Sequence, residues 1–421
     1  MREFRYEHNE LWCESVRVTD IAGRFGTPVY IYSKSSVVDH CRHIESAFGE
    51  VEHLSCYAVK ANANKALLRI IAEEGIGAEV GSAGELKLAL DAGFPPSKVT
   101  FSGVGKRDDE IEYGLNNRIH SFNVESEEEL GVIDGIARRL KTRAPILLRV
   151  NFDVDPGTHP YITTGKSSNK FGVDARCAEA ILQKAQTLAG IDVLGLHSHI
   201  GSQITRTTAF VEAAGRIKDL VGRLRTARCS VSDINIGGGF GVQYHDFVVH
   251  PSLPAEQESA DRDVTTVSLL KAVLPVLEGT NCRILIEPGR SIVAHAGILV
   301  TRVLYRKENG SKTFVIVDAG MNDLIRPSLY QSYHQVVPLA LHGVKQETVD
   351  VVGPLCESGD FFALDRKIPR VGRGDYLALL CAGAYGFALS SNYNSRLRPA
   401  EVLVQGSAAE IVRRRESLDD L

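Results

Sequence analysis

Five places in the chain carry residue types that could do chemistry. Lys60 ends the apolar run Cys56-Tyr57-Ala58-Val59. If that run is a strand opening into the mouth of a barrel, the walls desolvate the lysine. Desolvation disfavours the ammonium and frees the amine as a nucleophile; on an open surface the same residue is an ordinary solvated lysine. Gly237-Gly238-Gly239, followed by Phe240 and Gly241, ends another strand-like run. Bare backbone N–H groups there can surround a phosphate, although a glycine run is also a common turn. Glu287 closes the run Arg283-Ile284-Leu285-Ile286, with Arg290 three residues on. A buried carboxylate needs a partner, either the protonated nitrogen of a bound heterocycle or Arg290 itself. His197-Ser198-His199 places two imidazoles on one side of a strand, because the side-chain period is two. This spacing occurs in metal-dependent hydrolases, but no third and fourth ligands are well placed, so no metal is expected. His199 better suits stacking on a flat ring, and Ser202 beyond it could bond a phosphate. Cys356 lies in Gly-Pro-Leu-Cys-Glu-Ser-Gly-Asp, a polar turn unlike the apolar settings of Cys282 and Cys381. It is either an acid in a site or an incidental loop thiol.

The elements that must position these residues are legible in the periodicity. Strand-like segments fall at 56–60, 76–80, 98–102, 118–123, 145–151, 191–200, 232–239 and 283–290, with helical spacing between most of them. Ser82 with Glu85 has the spacing of a capping box before Leu86, Ala89, Leu90 and Gly93 at i, i+3, i+4 and i+7, and Ser126 with Glu129 has it before Leu130, Ile133, Ile136 and Leu140. Eight βα units over roughly 250 residues match a (β/α)8 TIM-type barrel. An open doubly wound sheet fits less well, because polar residues end nearly every strand and do not gather at one switch point. After about residue 296, strands follow one another with little helix, which predicts an all-β C-terminal domain. The division expected is a barrel over 33–296 and a β-domain made of 1–32 and 297–421, the first stretch joining through Val29-Tyr30-Ile31-Tyr32-Ser33. Residues 152–175, rich in Gly, Pro, Thr, Ser and Asn, are expected to be a functional loop above the barrel mouth.

Composition narrows the classes. Of 421 residues, 48 are Lys or Arg and 52 are Asp or Glu, a formal charge of −4, so the basic excess of a nucleic-acid binder is missing. Apolar residues at 44% allow a sizeable core. No apolar run reaches the ~18 residues of a membrane span, and the charged N-terminus lacks a secretory signal's apolar stretch. Eight scattered cysteines without a CxxC pair read as reduced thiols in a cytoplasmic protein.

The ordered set CYAVKAN, HSHIGSQ, GGGFG, EPGRS, CESGD and GAYGFALSSNYNSRLRPAEVLV resembles the diaminopimelate decarboxylase family over nearly the whole chain. These are pyridoxal 5′-phosphate enzymes whose barrel-plus-β-domain fold is shared with ornithine decarboxylase and alanine racemase. NFDVDPGTHPYITTG, the following KFG, and RPSLYQSYH resemble the diaminopimelate branch in particular. The resemblance implies that Lys60 holds the cofactor covalently and that His199 stacks on its ring. It implies that Ser202, Gly237, Gly238, Gly239, Arg290 and Tyr385 bind the phosphate and that Glu287 pairs with the pyridine nitrogen. Cys356 would protonate the product carbon from the partner subunit of a homodimer. Arg290, Arg326, Tyr330, Glu357 and Tyr385 would contact the substrate, meso-2,6-diaminopimelate. Glu79 stands where relatives mostly carry Asp, with the carboxylate retained. Two other readings remain: a decarboxylase of a related basic or dicarboxylic amino acid, and a non-enzymatic pyridoxal-phosphate-binding protein. The second is disfavoured because such proteins are single barrels without a β-domain.

Overall fold

A computed structural model describes residues 3–155, 157, 169–254, 265–343 and 345–421. The chain divides into two compact units. One is Cys41–Val242 with Asp263–Ser291; the other is Met1–His40, Gln243–Arg262 and Ile292–Leu421.

The first unit is a closed barrel of eight parallel strands: β1 His53–Ala58, β2 Gly77–Val80, β3 Val99–Phe101, β4 Ser121–Val124, β5 Ala144–Asn151, β6 Ile191–His197, β7 Asp233–Asn235 and β8 Arg283–Ile286. The ring closes because β8 pairs with β1 and β4 pairs with β5. Leu54, Cys56, Leu147 and Leu285 form a buried interior cluster, with Leu194 packed against it. Each buried leucine contributes roughly 1.5–3 kcal/mol. Side chains alternate along a strand, so two residues beyond Leu147 and Leu285 the same interior rows reach Arg149 and Glu287. The barrel is thus apolar in its middle and polar at the carboxyl ends of its strands, where this architecture carries its sites.

The helices between the strands begin as the sequence predicts, with one difference. Ser82 and Ser126 accept from the N–H of Glu85 and Glu129 at the starts of Ala83–Ala92 and Glu127–Arg139. The two glutamates reach one residue further back than a capping box requires, accepting from the N–H of Gly81 at 2.7 Å and of Glu125 at 2.6 Å. Both strand boundaries near the site also shift. β1 ends at Ala58, and Lys60 sits in a single 3-10 turn, Val59–Ala61. β6 ends at His197, so His199 lies two residues beyond the strand.

The second unit is β-rich. Val29–Ser33, all five residues buried, pairs antiparallel with Gly297–Asn309 and parallel with Ala400–Gln405. The N-terminal stretch therefore supplies a central strand to a sheet whose other members come from the last 125 residues. Residues 243–254 belong to this unit and not to the barrel unit. Half of the expected loop at 152–175 lies outside the described residues, as does most of the motif NFDVDPGTHPYITTG. Among the described residues, no helix is long and apolar enough to cross a membrane.

Candidate active site

The carboxyl ends of the barrel strands converge on Glu287. This carboxylate is buried, and its Oε1 accepts from Asn235 Nδ2 at 2.8 Å, Asn123 Nδ2 at 3.0 Å and Thr100 Oγ1 at 3.5 Å. Those residues come from β7, β4 and β3. Oε2 faces His197 Nε2 at 3.3 Å. Burial alone would raise the pKa of this group; His197, Lys60 and the Asn235 bond outweigh it and hold the carboxyl well below the usual carboxylate range. Glu287 is therefore an anion in the barrel interior, with one oxygen saturated by neutral donors and the other facing a single imidazole. Among the described contacts its partners do not include Arg290, whose Nη2 donates to Ser202 Oγ at 2.9 Å.

Lys60 pairs with Glu79 at 2.8 Å, the carboxylate being 1% exposed and the lysine half exposed. Glu79 belongs to β2, so the carboxylate retained in place of Asp reaches the lysine directly. Arg149 and Glu125 form a buried pair at 2.7 Å, and Glu125 Oε2 also accepts from the Gly172 N–H at 2.9 Å. The guanidinium lies 4.6 Å from the Phe171 ring centroid. This pair escaped the sequence reading; an Arg at the end of an apolar strand, on the same row as Leu147, was its only signal.

His199 packs on the glycine run. Its Nδ1 accepts from the Gly238 N–H at 3.2 Å, which leaves Nε2 to carry the ring proton. Burial, with Arg149 and Lys60 nearby, pushes its pKa well below the ordinary imidazole value. A neutral flat ring is thus available for stacking. The three glycines are required by backbone proximity. A Cβ on Gly238 would lie 2.1 Å from the Glu287 carbonyl oxygen, one on Gly239 2.0 Å from that of Gly201, and one on Gly237 2.6 Å from that of Ser198. Gly237 and Gly239 also have φ of 72° and 92°, which favour glycine. The open cradle of three amides expected from the sequence is partly engaged within the chain. Gly237 N–H donates to Asn235 Oδ1 at 2.8 Å and Gly238 N–H to His199. Among the described bonds, the amides of Gly239 and Phe240 are left for an anion, beside Ser202 and Arg290.

The β-rich unit carries a second group. Arg326 opens the short helix Arg326–Tyr330 and is buried. Its guanidinium meets His334 Nε2 at 2.9 Å and Ser332 Oγ at 3.3 Å, and lies 5.0 Å from the Tyr244 ring centroid. The exposed Cys356 begins the loop Cys356-Glu357-Ser358-Gly359-Asp360. The buried Asp360 pins that loop by accepting from Met321 N–H at 2.6 Å and Leu355 N–H at 2.7 Å, and Glu357 Oε1 accepts from the Gly359 N–H at 3.1 Å. Ser328 Oγ donates to the Gly359 carbonyl, which ties the Arg326 helix to the cysteine loop. Tyr330 is half-buried on the same helix, and Tyr385 is half-buried with φ of 57°. His334, Ser328 and Asp360 were not anticipated; isolated polar residues in loops give no periodic signal.

The barrel group fits pyridoxal phosphate. A buried anion with one oxygen facing away from its neutral donors suits a protonated ring nitrogen, and a glycine cradle with two amides that have no partner among the described bonds suits a phosphate. Among the described residues, no cluster of His, Cys, Asp and Glu could hold a metal.

A family model described as the pyridoxal-dependent decarboxylase, pyridoxal binding domain, matches residues 34–294. A diaminopimelate decarboxylase of Aquifex aeolicus is 45% identical over 98% of this chain and 95% of its own length. One from Pseudomonas aeruginosa is 45% identical over 100% of this chain and 98% of its own. The crystal structure of diaminopimelate decarboxylase from Helicobacter pylori complexed with L-lysine is 37% identical, with a TM-score of 0.89, covering 96% of this chain and 97% of that one.

Proposed function

The chain belongs to the diaminopimelate decarboxylase family of pyridoxal-phosphate enzymes, and we propose that it converts meso-2,6-diaminopimelate to L-lysine and carbon dioxide, the last step of lysine biosynthesis. The reading rests above all on Glu287, an ionised carboxylate inside a barrel that otherwise gains nothing from a buried charge. An anion at that position keeps a pyridine nitrogen protonated. A racemase in the same fold is expected to hold that nitrogen with a cation, which weakens the ring's pull on electrons.

Pyridoxal phosphate, when bound, supplies the sink for the electron pair that remains on Cα after the carboxylate leaves. The chain's residues have separate tasks around it. Lys60 holds the cofactor, and Glu79 keeps the lysine aimed across the barrel mouth. Glu287 accepts from the ring nitrogen, and His199 offers a neutral face to the ring. Ser202, Gly237, Gly238, Gly239, Arg290 and Tyr385 take the phosphate; the Gly239 and Phe240 amides are the donors best able to do so. Arg326 and Arg290 bind substrate carboxylate by charge-assisted hydrogen bonds, with Tyr330, Glu357 and Tyr385 completing the contacts. A distal ammonium, as in diamine-forming relatives, would want an acidic residue at 326. Cys356 returns a proton to Cα once carbon dioxide has left.

In this reading the barrel, 33–296, is the cofactor domain, and 1–32 with 297–421 carries Cys356 and the contacts of a homodimer. Each site is completed by the partner subunit. The enzyme works in the cytoplasm; all eight cysteines are free, as a reducing compartment keeps them. Carbon dioxide release should be measured with meso-diaminopimelate, lysine, ornithine and arginine supplied in turn. Release from meso-diaminopimelate alone is expected, and preference for any of the others would overturn the substrate assignment.

A further inference from the structure

His197 ends β6 and is 1% exposed, and neither of its ring nitrogens makes a hydrogen bond of good geometry in the structure. An imidazole stripped of water and left unsatisfied costs free energy, so its presence in a packed barrel calls for a reason. Among the described residues, the charged group its ring faces at ion-pair distance is Glu287, with Nε2 3.3 Å from Oε2. Oε1 of that carboxylate already has three neutral donors, from Asn235, Asn123 and Thr100. Oε2 is therefore the oxygen available to a ligand, and His197 is the side chain that flanks it. His199, two residues on, is engaged with Gly238 and does not compete for this place.

We propose that His197 is a positioning residue: its Nε2–H fixes Glu287 Oε2 toward the ring nitrogen of bound pyridoxal phosphate and keeps that nitrogen protonated. The proposal rests on Glu287 meeting the ring nitrogen, as argued above. The chemistry follows from proton sharing. A carboxylate that accepts from a ring N–H holds the proton on the ring when the carboxylate stays ionised. Nε2–H stabilises the ionised form and leaves Nδ1 as a bare lone pair, the cheaper of the two nitrogens to leave unpartnered. Arg149 and Lys60, the cations that lower the pKa of His199, act on the same interior from β5 and from the turn after β1.

The test uses binding. Apoprotein is titrated with pyridoxal phosphate and with 1-deazapyridoxal phosphate, whose ring nitrogen is replaced by CH, and affinity is read from protein fluorescence. His197→Phe removes the donor and should weaken pyridoxal phosphate about tenfold or more, the cost of a charge-assisted hydrogen bond, while leaving the deaza analogue unchanged. His197→Gln, whose amide nitrogen reaches the place of Nε2, should restore most of the loss. His197→Asn, which is polar but too short, should not, and it serves if the Phe variant does not fold. Equal weakening of both ligands would make His197 a merely structural residue and overturn the proposal. Glu287→Gln separates the two ideas. If it fails to discriminate between the ligands, Glu287 is not at the ring nitrogen; if it discriminates and the His197 variants do not, only the His197 proposal falls.

Discussion

His334 accepts a hydrogen bond from Arg326 Nη1 at 2.9 Å through Nε2, while its Nδ1 donates to the Leu380 carbonyl at 2.8 Å. A guanidinium can only donate, so Nε2 is unprotonated and the proton sits on Nδ1. The neutral imidazole thus links Arg326 to the backbone that follows the strand Tyr376–Leu379, and Ser332 holds a second guanidinium nitrogen. Arg326 is fixed before any substrate arrives.

If Arg326 binds the distal carboxylate, Arg326→Gln removes one charge-assisted bond. That costs about 1.5–3 kcal/mol, or roughly 10- to 150-fold in kcat/KM on meso-diaminopimelate. His334→Leu should act in the same direction but less, raising KM more than it lowers kcat, because the charge remains while its anchor is lost. Steady-state kinetics on both variants check this. An Arg326→Gln enzyme with unchanged kcat/KM removes Arg326 from the substrate site.

Asp323 gives a stability prediction with a fixed sign. It is buried, accepting from Gly320 N–H at 2.9 Å and Asn322 Nδ2 at 3.0 Å. Burial raises its pKa to about 7, the Gly320 bond only partly opposing it. The value in an unfolded chain is about 3.9, so between these two pH values the folded state holds more protons than the unfolded state. The stability linked to this proton is present below about pH 4 and is lost as pH rises through about 7. The loss is on the order of 4 kcal/mol at most. Asp323→Asn, permanently neutral, should lose less stability between pH 5 and pH 8 than the parent protein in urea unfolding. Equal losses in both proteins would place the titration elsewhere.

The barrel was legible because eight strand-like runs with helical spacing between them leave few other closed solutions, and the ordered motifs named its chemistry. What the sequence could not give is convergence. Thr100, Asn123 and Asn235 are ordinary polar residues at strand ends, and only ring closure brings all three to Glu287 Oε1. The glycine run stands out in the sequence, where its amides read as open. That Asn235 and His199 occupy two of them depends on side chains whose direction is set by the local backbone beyond each strand. Val29–Ser33 read as a strand from its β-branched and aromatic residues. Its place between Gly297–Asn309 and Ala400–Gln405 needed partners about 270 and 370 residues away, and period-two patterning says nothing about partners.

Cys356 is exposed on a loop held by Asp360 and Ser328, a placement suited to a mobile proton on a fixed support. Cys356→Ala should bind cofactor normally and still release some carbon dioxide. Without the thiol the proton should return to the wrong carbon in part of the turnovers, so that cofactor accumulates as the pyridoxamine form. Chromatography of the released cofactor measures it. Wild-type turnover with no pyridoxamine product would make Cys356 an incidental thiol.

Lys60 and Cys356 belong to different compact units of the chain. In the proposed homodimer, the β-rich unit of one subunit completes the barrel site of the other, and two-fold symmetry makes two such composite sites. Lys60→Ala and Cys356→Ala should then rescue each other. In a mixed dimer one site receives both defects and the other receives neither. Random exchange makes about half of the dimers mixed, each with one good site of two, so recovered activity should be roughly a quarter of the parent level. Subunits are exchanged under mild denaturant, exchange is verified by native mass, and lysine formation is assayed. The expected gain is well above the activity of either variant alone. Verified exchange with no gain would mean that Lys60 and Cys356 serve a site within one subunit, and the composite arrangement would be wrong.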